Sequence, residues 1–414
     1  MNNFNFKSLT SVDAVDVANK TVVVRVDFNV PLKDGKIIDP NRINAARKTI
    51  DYLISNNCKI ILLSHLSRIK TLDDIKSNKK SLLPVCNYLK TIYGDKNVFF
   101  ATDGFSPVII DFIKNTMKPQ QIMLFENTRY NDFDLVTNQL VKKESKCDHK
   151  LAKQWASLCD VFVNDAFGTI HRCHASNYGI IKNCKKWCIG FLVKHELENI
   201  LKFNENAPKP IVSIVGGSKI SDKVILLNKL MAISDYVLIG GGMSFLFLKA
   251  LGFDIGKSIY ESEMLEIAKE IYNKHKNKII LPIDVIATTE FADIKGNEIT
   301  IGQPMNNLMG LDIGPKTTKI FVDKIKNAKT IFWNGPSGVF EFNHYQKSTK
   351  EIAEAICFAT KNGAFSLIGG GDTAFAATKF CDKSKFSFVS TGGGATLAII
   401  QGSDLPGLNF FNKM

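Results

Sequence analysis

The sequence predicts two doubly wound α/β domains, each built on a parallel sheet, joined by a helix and a hinge. Three observations lead there. At 414 residues the chain exceeds one ordinary core and suits two domains of roughly 200 residues each. Strand-length apolar runs alternate with helix-like stretches, the pattern of βαβ units. The polar motifs follow directly behind the apolar runs, at the edge where open α/β sheets bind ligands.

In the first half, strands are expected at 22–26, 60–63, 98–100, 122–125 and 161–163, with helices near 42–55, 82–91, 107–115 and 150–157. Residues 1–188 form the first domain on this reading. Residues 191–204 place Leu192, Leu197, Ile200, Leu201 and Phe203 near helical spacing, which predicts a bridging helix within the interdomain segment 189–206. Pro208 and Pro210 exclude helix beyond it. The second domain, 207–392, repeats the scheme with strands at 211–215, 236–239, 279–281, 330–333, 365–368 and 386–390, and the tail 393–414 is expected to return to the first domain.

Composition is that of a globular protein, 45% hydrophobic and 22% charged. The formal charge of +13 suits anionic ligands. The lysines are scattered with asparagines rather than gathered in basic runs with aromatics, so nucleic acid is not an expected partner. Nine irregularly spaced cysteines, without a Cys-x-x-Cys, argue against a disulfide framework and for a reducing compartment. The start of the chain lacks the blocks of a signal peptide, and no apolar run approaches about 18 residues, so a cytoplasmic protein with no membrane partner is expected.

The multi-glycine runs at 216–217, 240–242, 369–371 and 392–394 all lie in the second half, close behind strand-like runs. Such turns let backbone N–H groups approach phosphate oxygens. Gly216-Gly217-Ser218-Lys219-Ile220-Ser221-Asp222-Lys223 opens an expected helix, with Ser221 or Asp222 as N-cap, but lacks the Walker A spacing and could be structural alone. Gly369-Gly370-Gly371-Asp372-Thr373 is sharper. Asp372 could hold Mg²⁺ or merely cap a helix, and Thr373 begins a small-residue helix whose N-terminus can face phosphate. After the strand at 330–333, Asn334 and a Gly335-Pro336 turn lead to Glu341, at a reach suited to a ribose hydroxyl pair, although a plain turn and a surface acid would also account for them.

The first half instead carries cations at strand ends. Arg25, Asp27 and Asn29 end the first strand, and Arg42 starts the next helix. Ser64-His65-Leu66-Ser67-Arg68, Glu126-Asn127-Thr128-Arg129 and the run from Asn164 to His171 and Arg172 repeat the pattern, which points to a polyanion pocket. A zinc site at His171, Cys173 and His174 is disfavoured because no regularly placed fourth ligand follows. Cys184 and Cys188 are assigned no role.

Taken in order, RVDFNVP, SHLSR, ENTRY, VNDAFGTIHRCHAS, GGSKISDK, GGGMSFLFLKALG, WNGPSGVFE, GGGDTA and STGGGA resemble the phosphoglycerate kinase family over about residues 22–397. The resemblance implies two Rossmann-like domains and reversible transfer of the acyl phosphate of 1,3-bisphosphoglycerate to MgADP, giving 3-phosphoglycerate and MgATP in glycolysis. It implies that Asp27, Asn29, Arg42, His65, Arg68, Arg129, His171 and Arg172 bind phosphoglycerate, with Arg42 at the reacting carboxyl group. Lys219 follows the transferred phosphoryl, and Lys223 binds nucleotide phosphate. Gly217, Gly241, Gly370, Gly371 and Thr373 line the nucleotide, Asn334 and Glu341 complete its site, and Asp372 holds Mg²⁺ through it. A monomer is implied as well.

This chain departs from the family pattern at Ser67, where glycine is usual, at Ser348 in a usual Gly-Thr, and at Lys48, where proline is usual. A dinucleotide-dependent oxidoreductase lacks its Gly-x-Gly-x-x-Gly with a following acid, and a basic two-domain clamp for RNA is the non-enzymatic alternative.

Overall fold

The structure, a computed structural model, describes residues 9–102, 104–221 and 223–408. The chain divides into two compact units. Unit 1 runs through Glu198 and resumes at Gly402, and unit 2 is Asn199–Gln401.

Unit 1 is built on β1 (Thr21–Arg25), β2 (Lys59–Leu63), β3 (Val98–Ala101), β4 (Ile122–Phe125), β5 (Val161–Asn164) and β6 (Trp187–Ile189). All pair parallel in the order β6-β5-β1-β2-β4-β3. Strand runs such as Val22-Val23-Val24 are continuously apolar because both faces are covered, with polar residues only at the strand's ends. Val22 and Val24 join one apolar cluster and Val23 the other, as the two-residue period of a strand requires. The main helices are α1 (Asn41–Ser55), α2 (Leu83–Tyr93) and α3 (His149–Ala156). In α1, Ile43, Ala46, Ile50 and Leu53 face the sheet at helical spacing. Asp148 starts α3 by accepting the Leu151 N–H at 2.8 Å.

Next, α4 (Phe191–Ile200) crosses the division between the units. In unit 2 follow β7 (Ile211–Val215), α5 (Val224–Ile233), β8 (Tyr236–Ile239), α6 (Gly241–Ala250), α7 (Leu265–His275) and β9 (Ile279–Ile280). An antiparallel insertion, β10 (Asp284–Thr288), β11 (Asn297–Thr300) and β12 (Met309–Ile313), precedes α8 (Pro315–Lys326). The unit closes with β13 (Thr330–Asn334), α9 (Lys347–Lys361), β14 (Phe365–Ile368), α10 (Gly371–Phe380), β15 (Phe388–Val389) and α11 (Gly394–Gln401). Its parallel sheet runs β9-β8-β7-β13-β14-β15. Numbered within the unit this is 3-2-1-4-5-6, the usual Rossmann order, whereas unit 1 runs 3-4-2-1-5-6. In each unit the strand order reverses beside the first strand. The switch points lie at Arg25 with Asn164 and at Val215 with Asn334.

Several elements differ from the sequence expectation. The strand β6 was not anticipated, since three residues behind two lysines carry no usable period. The antiparallel insertion was also missed, because β11 is polar and mostly exposed and β12 contains Gly310. The helix expected at 107–115 is an α-turn, Pro107–Asp111, followed by π-helical residues Phe112–Thr116. The bridging helix stops at Ile200, where Lys202 and Phe203 turn back onto the Asn199 and Ile200 carbonyls. The helix expected from Ser221 or Asp222 begins at Val224, and Asp222 lies outside the described residues. The tail expected to return as one piece is divided: α11 packs on α5 within unit 2, Gly407 bonds within unit 1, and residues 409–414 lie outside the described residues. Among the described residues no helix is long and apolar enough to cross a membrane.

Candidate active site

In unit 1 the carboxyl ends of β1, β2, β4 and β5 bring the expected cations to one edge. Arg25 is fully buried. It donates from Nε to the Ser176 hydroxyl at 2.8 Å, from one terminal nitrogen to the Val26 carbonyl, and from the other to His65 Nδ1 at 3.2 Å. A guanidinium can only donate, so Nδ1 accepts and the His65 proton sits on Nε2. Burial, followed by the charges of Arg25, Arg129, His174 and Arg42, holds His65 well below the ordinary histidine range. His65 is therefore a neutral donor at neutral pH.

Asp27, also buried, accepts from Arg42 at 2.6 Å and lies 4.0 Å from His65 Nδ1. The Asn29 side chain accepts the Ser67 N–H at 2.8 Å, and Arg129 donates to the Ser67 carbonyl. Ser67 has φ of +57°, the left-handed region in which its Cβ is unfavourable. Arg129 is pulled down to about 10, first by burial and then by Arg25 and Arg172, and remains charged at pH 7. Arg172 Nε donates to His171 Nε2 at 3.1 Å, and burial with the Arg172 charge lowers His171 to about 4. Positive charge at this edge thus comes from arginines. Arg68 is exposed at its margin, where its carbonyl accepts from Lys80.

In unit 2 the corresponding edge is made of backbone. A Cβ at Gly216 would stand 2.0 Å from the Pro336 carbonyl oxygen, so the turns after β7 and β13 touch main chain to main chain. Lys223 Nζ donates to the Gly216 carbonyl at 2.6 Å. Gly370, at φ +104°, precedes α10, and a Cβ there would meet Asn334 Nδ2 at 2.7 Å. Asn334 donates to the Gly369 carbonyl at 2.7 Å, and the Thr373 hydroxyl accepts the Gly335 N–H at 2.7 Å. Gly371 and Asp372 are exposed at the start of α10, and Lys219 is exposed in the turn after β7. Glu261 holds that turn by accepting the Ile220 and Ser221 N–H groups.

A cavity of about 340 Å³ lies beside these turns, bounded by Gly217, Gly241, Pro336 and Glu341 and, on an apolar wall, by Phe291 and Leu311. Sequence reasoning missed this wall because it comes from the antiparallel insertion. It also missed Asp312, a buried acid at the cavity, which accepts the Ser348 hydroxyl and the Ile313 N–H. Burial pushes Asp312 up to about 7 against those bonds. Ser348 therefore serves a buried carboxyl. The available signal was an acid inside the apolar run Gly-Leu-Asp-Ile-Gly.

The lowered histidines carry a pH consequence. Between its ordinary value of 6.5 and about 4, His171 takes a proton in the unfolded chain that the folded protein refuses. On acidification from pH 7.5 to 5, the urea midpoint of the protein should therefore fall further than that of a His171→Gln variant. Parallel shifts in the two proteins would contradict a buried, neutral His171.

A family model described as phosphoglycerate kinase matches residues 12–403. A phosphoglycerate kinase of Mycoplasmoides gallisepticum is 50% identical over 417 residues, covering 99% of this chain and 98% of that protein. One from Mycoplasma pneumoniae is 47% identical over 408 residues, 97% of this chain and 98% of its own. Among solved structures, phosphoglycerate kinase from Coxiella burnetii superposes with a TM-score of 0.83 at 36% identity, covering 98% of both chains. That from Pyrococcus horikoshii gives 0.79 at 27% identity, also over 98% of both. With two Rossmann-like units, arginines at the edge of one and glycine turns at the edge of the other, and similarity along nearly its whole length, the chain belongs to the phosphoglycerate kinase family.

Proposed function

We infer that the chain catalyses the reversible transfer of the acyl phosphate of 1,3-bisphosphoglycerate to MgADP, giving 3-phosphoglycerate and MgATP, the glycolytic reaction of its family. The observation that carries the reading is the partition of chemistry: charged side chains gather at the sheet edge of unit 1 and close-packed glycine turns at that of unit 2.

In the proposal, Arg42, Arg68, Arg129 and Arg172 neutralise the phosphoglycerate, while Asp27, Asn29, His65 and His171 orient it. Asp27 holds Arg42 in place for the reacting carboxyl group. In unit 2 the base enters the cavity, Glu341 takes the ribose, and the turns carrying Gly217, Gly241, Asn334, Gly370, Gly371 and Thr373 take the phosphates with Lys223. Lys219, exposed in its turn, follows the transferred phosphoryl group.

The attacking oxygen is a phosphate oxygen in one direction and a carboxylate in the other, both ionised at neutral pH, so no general base is required. Positioning and charge stabilisation suffice for in-line transfer. Among the described residues no group of three or more His, Cys, Asp or Glu could hold a metal. A single exposed carboxylate at Asp372 instead fits Mg²⁺ that takes its other oxygens from nucleotide phosphates and water. When bound, the ion neutralises charge on the nucleotide phosphates.

Binding the two substrates on separate units calls for hinge closure, which also keeps water from the activated phosphoryl group. A cytoplasmic monomer completes the proposal, on the family resemblance and on nine cysteines that are all unpaired.

In a coupled assay the protein should phosphorylate 3-phosphoglycerate with MgATP, and Arg42→Ala or Lys219→Ala should lower turnover by roughly 10²-fold or more, as loss of a preorganised charge does. Unchanged turnover in both variants would remove their assigned roles. Relief of the left-handed Ser67 backbone, worth about 1 kcal/mol, should make the KM for 3-phosphoglycerate drop in Ser67→Gly. Solution scattering should show a smaller radius of gyration with both substrates than with neither, and identical profiles would count against closure.

A further inference from the structure

The chain crosses between the units twice, outward near Glu198 and back near Gly402. Within unit 1 the segments flanking both crossings are held by two consecutive residues at the end of β5. Asp165, fully buried, accepts the Leu192 N–H at 3.0 Å and the Val193 N–H at 3.2 Å, the first turn of α4. Asn164 donates from Nδ2 to the Gly407 carbonyl at 3.0 Å, on the returning segment.

The fit on both sides is close. A Cβ at Gly190 would fall 2.2 Å from the Asp165 carboxyl, and one at Gly407 would fall 3.0 Å from Ile170 and 3.2 Å from Asn164 Nδ2. The same stretch of chain continues into the expected phosphoglycerate pocket. A Cβ at Gly168 would meet Asp27 Oδ2 at 2.4 Å, the carboxylate that holds Arg42. The Ile170 carbonyl, next to His171, accepts the Gly407 N–H at 2.8 Å. The Asp165 N–H donates to the Arg25 carbonyl at 2.8 Å. A second tie runs through α1, the helix of Arg42, where the Thr49 hydroxyl accepts the Phe191 N–H at 2.9 Å and Lys48 lies 4.8 Å from the Phe191 ring centroid.

We propose that Asn164 and Asp165 are positioning residues forming one clamp, which ties both interunit crossings to the phosphoglycerate-pocket loop so that filling the pocket is transmitted to the segments on which closure turns. The inference rests on the hinge-closure reading above. A cap on α4 alone would explain Asp165, and a loop anchor alone would explain Asn164. Neither explains why adjacent residues hold both crossings while their own loop seats on Asp27 and ends at His171. Coupling of this kind typically corresponds to five- to 150-fold effects, so a change of about tenfold is the expected scale.

The test compares the full chain with Asn164→Ala, Asp165→Ala and Asp165→Asn. Asparagine keeps an oxygen that can accept from α4, whereas alanine does not. Urea midpoints first establish that each variant is folded at the assay temperature. The expected result is a kcat about tenfold lower for both alanine variants, a smaller substrate-induced change in radius of gyration, and a dissociation constant for ADP alone within about twofold of the parent. Asp165→Asn should recover most of kcat. Folded alanine variants with parental kcat and full compaction would overturn the clamp, and so would a loss of kcat matched by loss of ADP affinity. If Asp165→Ala does not fold, Asn164→Ala decides, because it leaves the cap on α4 intact. Absence of compaction in the parent protein would instead refute hinge closure itself, so the two failures are distinguishable.

Discussion

A fully buried guanidinium organises unit 1. Burial pulls the Arg25 side chain down and pushes Glu144 up, each opposed by the charge of the other, and the Ser176 hydroxyl links them by accepting from Arg25 and donating to Glu144. Removing one partner of such an arrangement strands the other charge in a low-dielectric interior, so it persists as a set. Its remaining donors fix the backbone at Val26 and the tautomer of His65, and His65 stands next to Asp27, which holds Arg42. One desolvated cation thus stands behind the residues that hold the half-buried Arg42.

Unit 2 solves the opposite problem with opposite means. In the proposed function unit 2 takes a nucleotide, whose phosphates backbone N–H groups can meet provided the main chain comes close. The contacts of Gly216 with Pro336 and of Gly370 with Asn334 create that closeness by leaving out side chains. The antiparallel insertion then supplies what the glycine turns lack, an apolar wall at which the proposed function seats the base, with the buried Asp312 at the same cavity accepting from the Ser348 hydroxyl. A departure from the family pattern is absorbed there as a hydrogen bond.

The same edge of unit 1 carries two duties. Strand ends that gather cations at one edge also anchor the chain segments that lead to and from the other unit, at Asn164 and Asp165. Doubly wound topology makes this natural, because the switch point of the sheet is where loops from both directions converge.

Much of this was legible from residues alone. Apolar runs of strand length set both parallel sheets, because strands buried on two faces are near-continuously apolar. The positions of Arg42, His65, Arg129, His171 and the glycine runs at strand ends marked the ligand edges. Local sequence could not show the strand order, the three-residue β6, the polar β11, or that Arg25 is fully buried rather than presented at the sheet edge, since each depends on contacts between segments distant in the chain. Nor could it reveal the positive φ at Ser67 or the shared anchoring by Asn164 and Asp165. Periodicity reports which residues are buried, and only the tertiary structure decides against what.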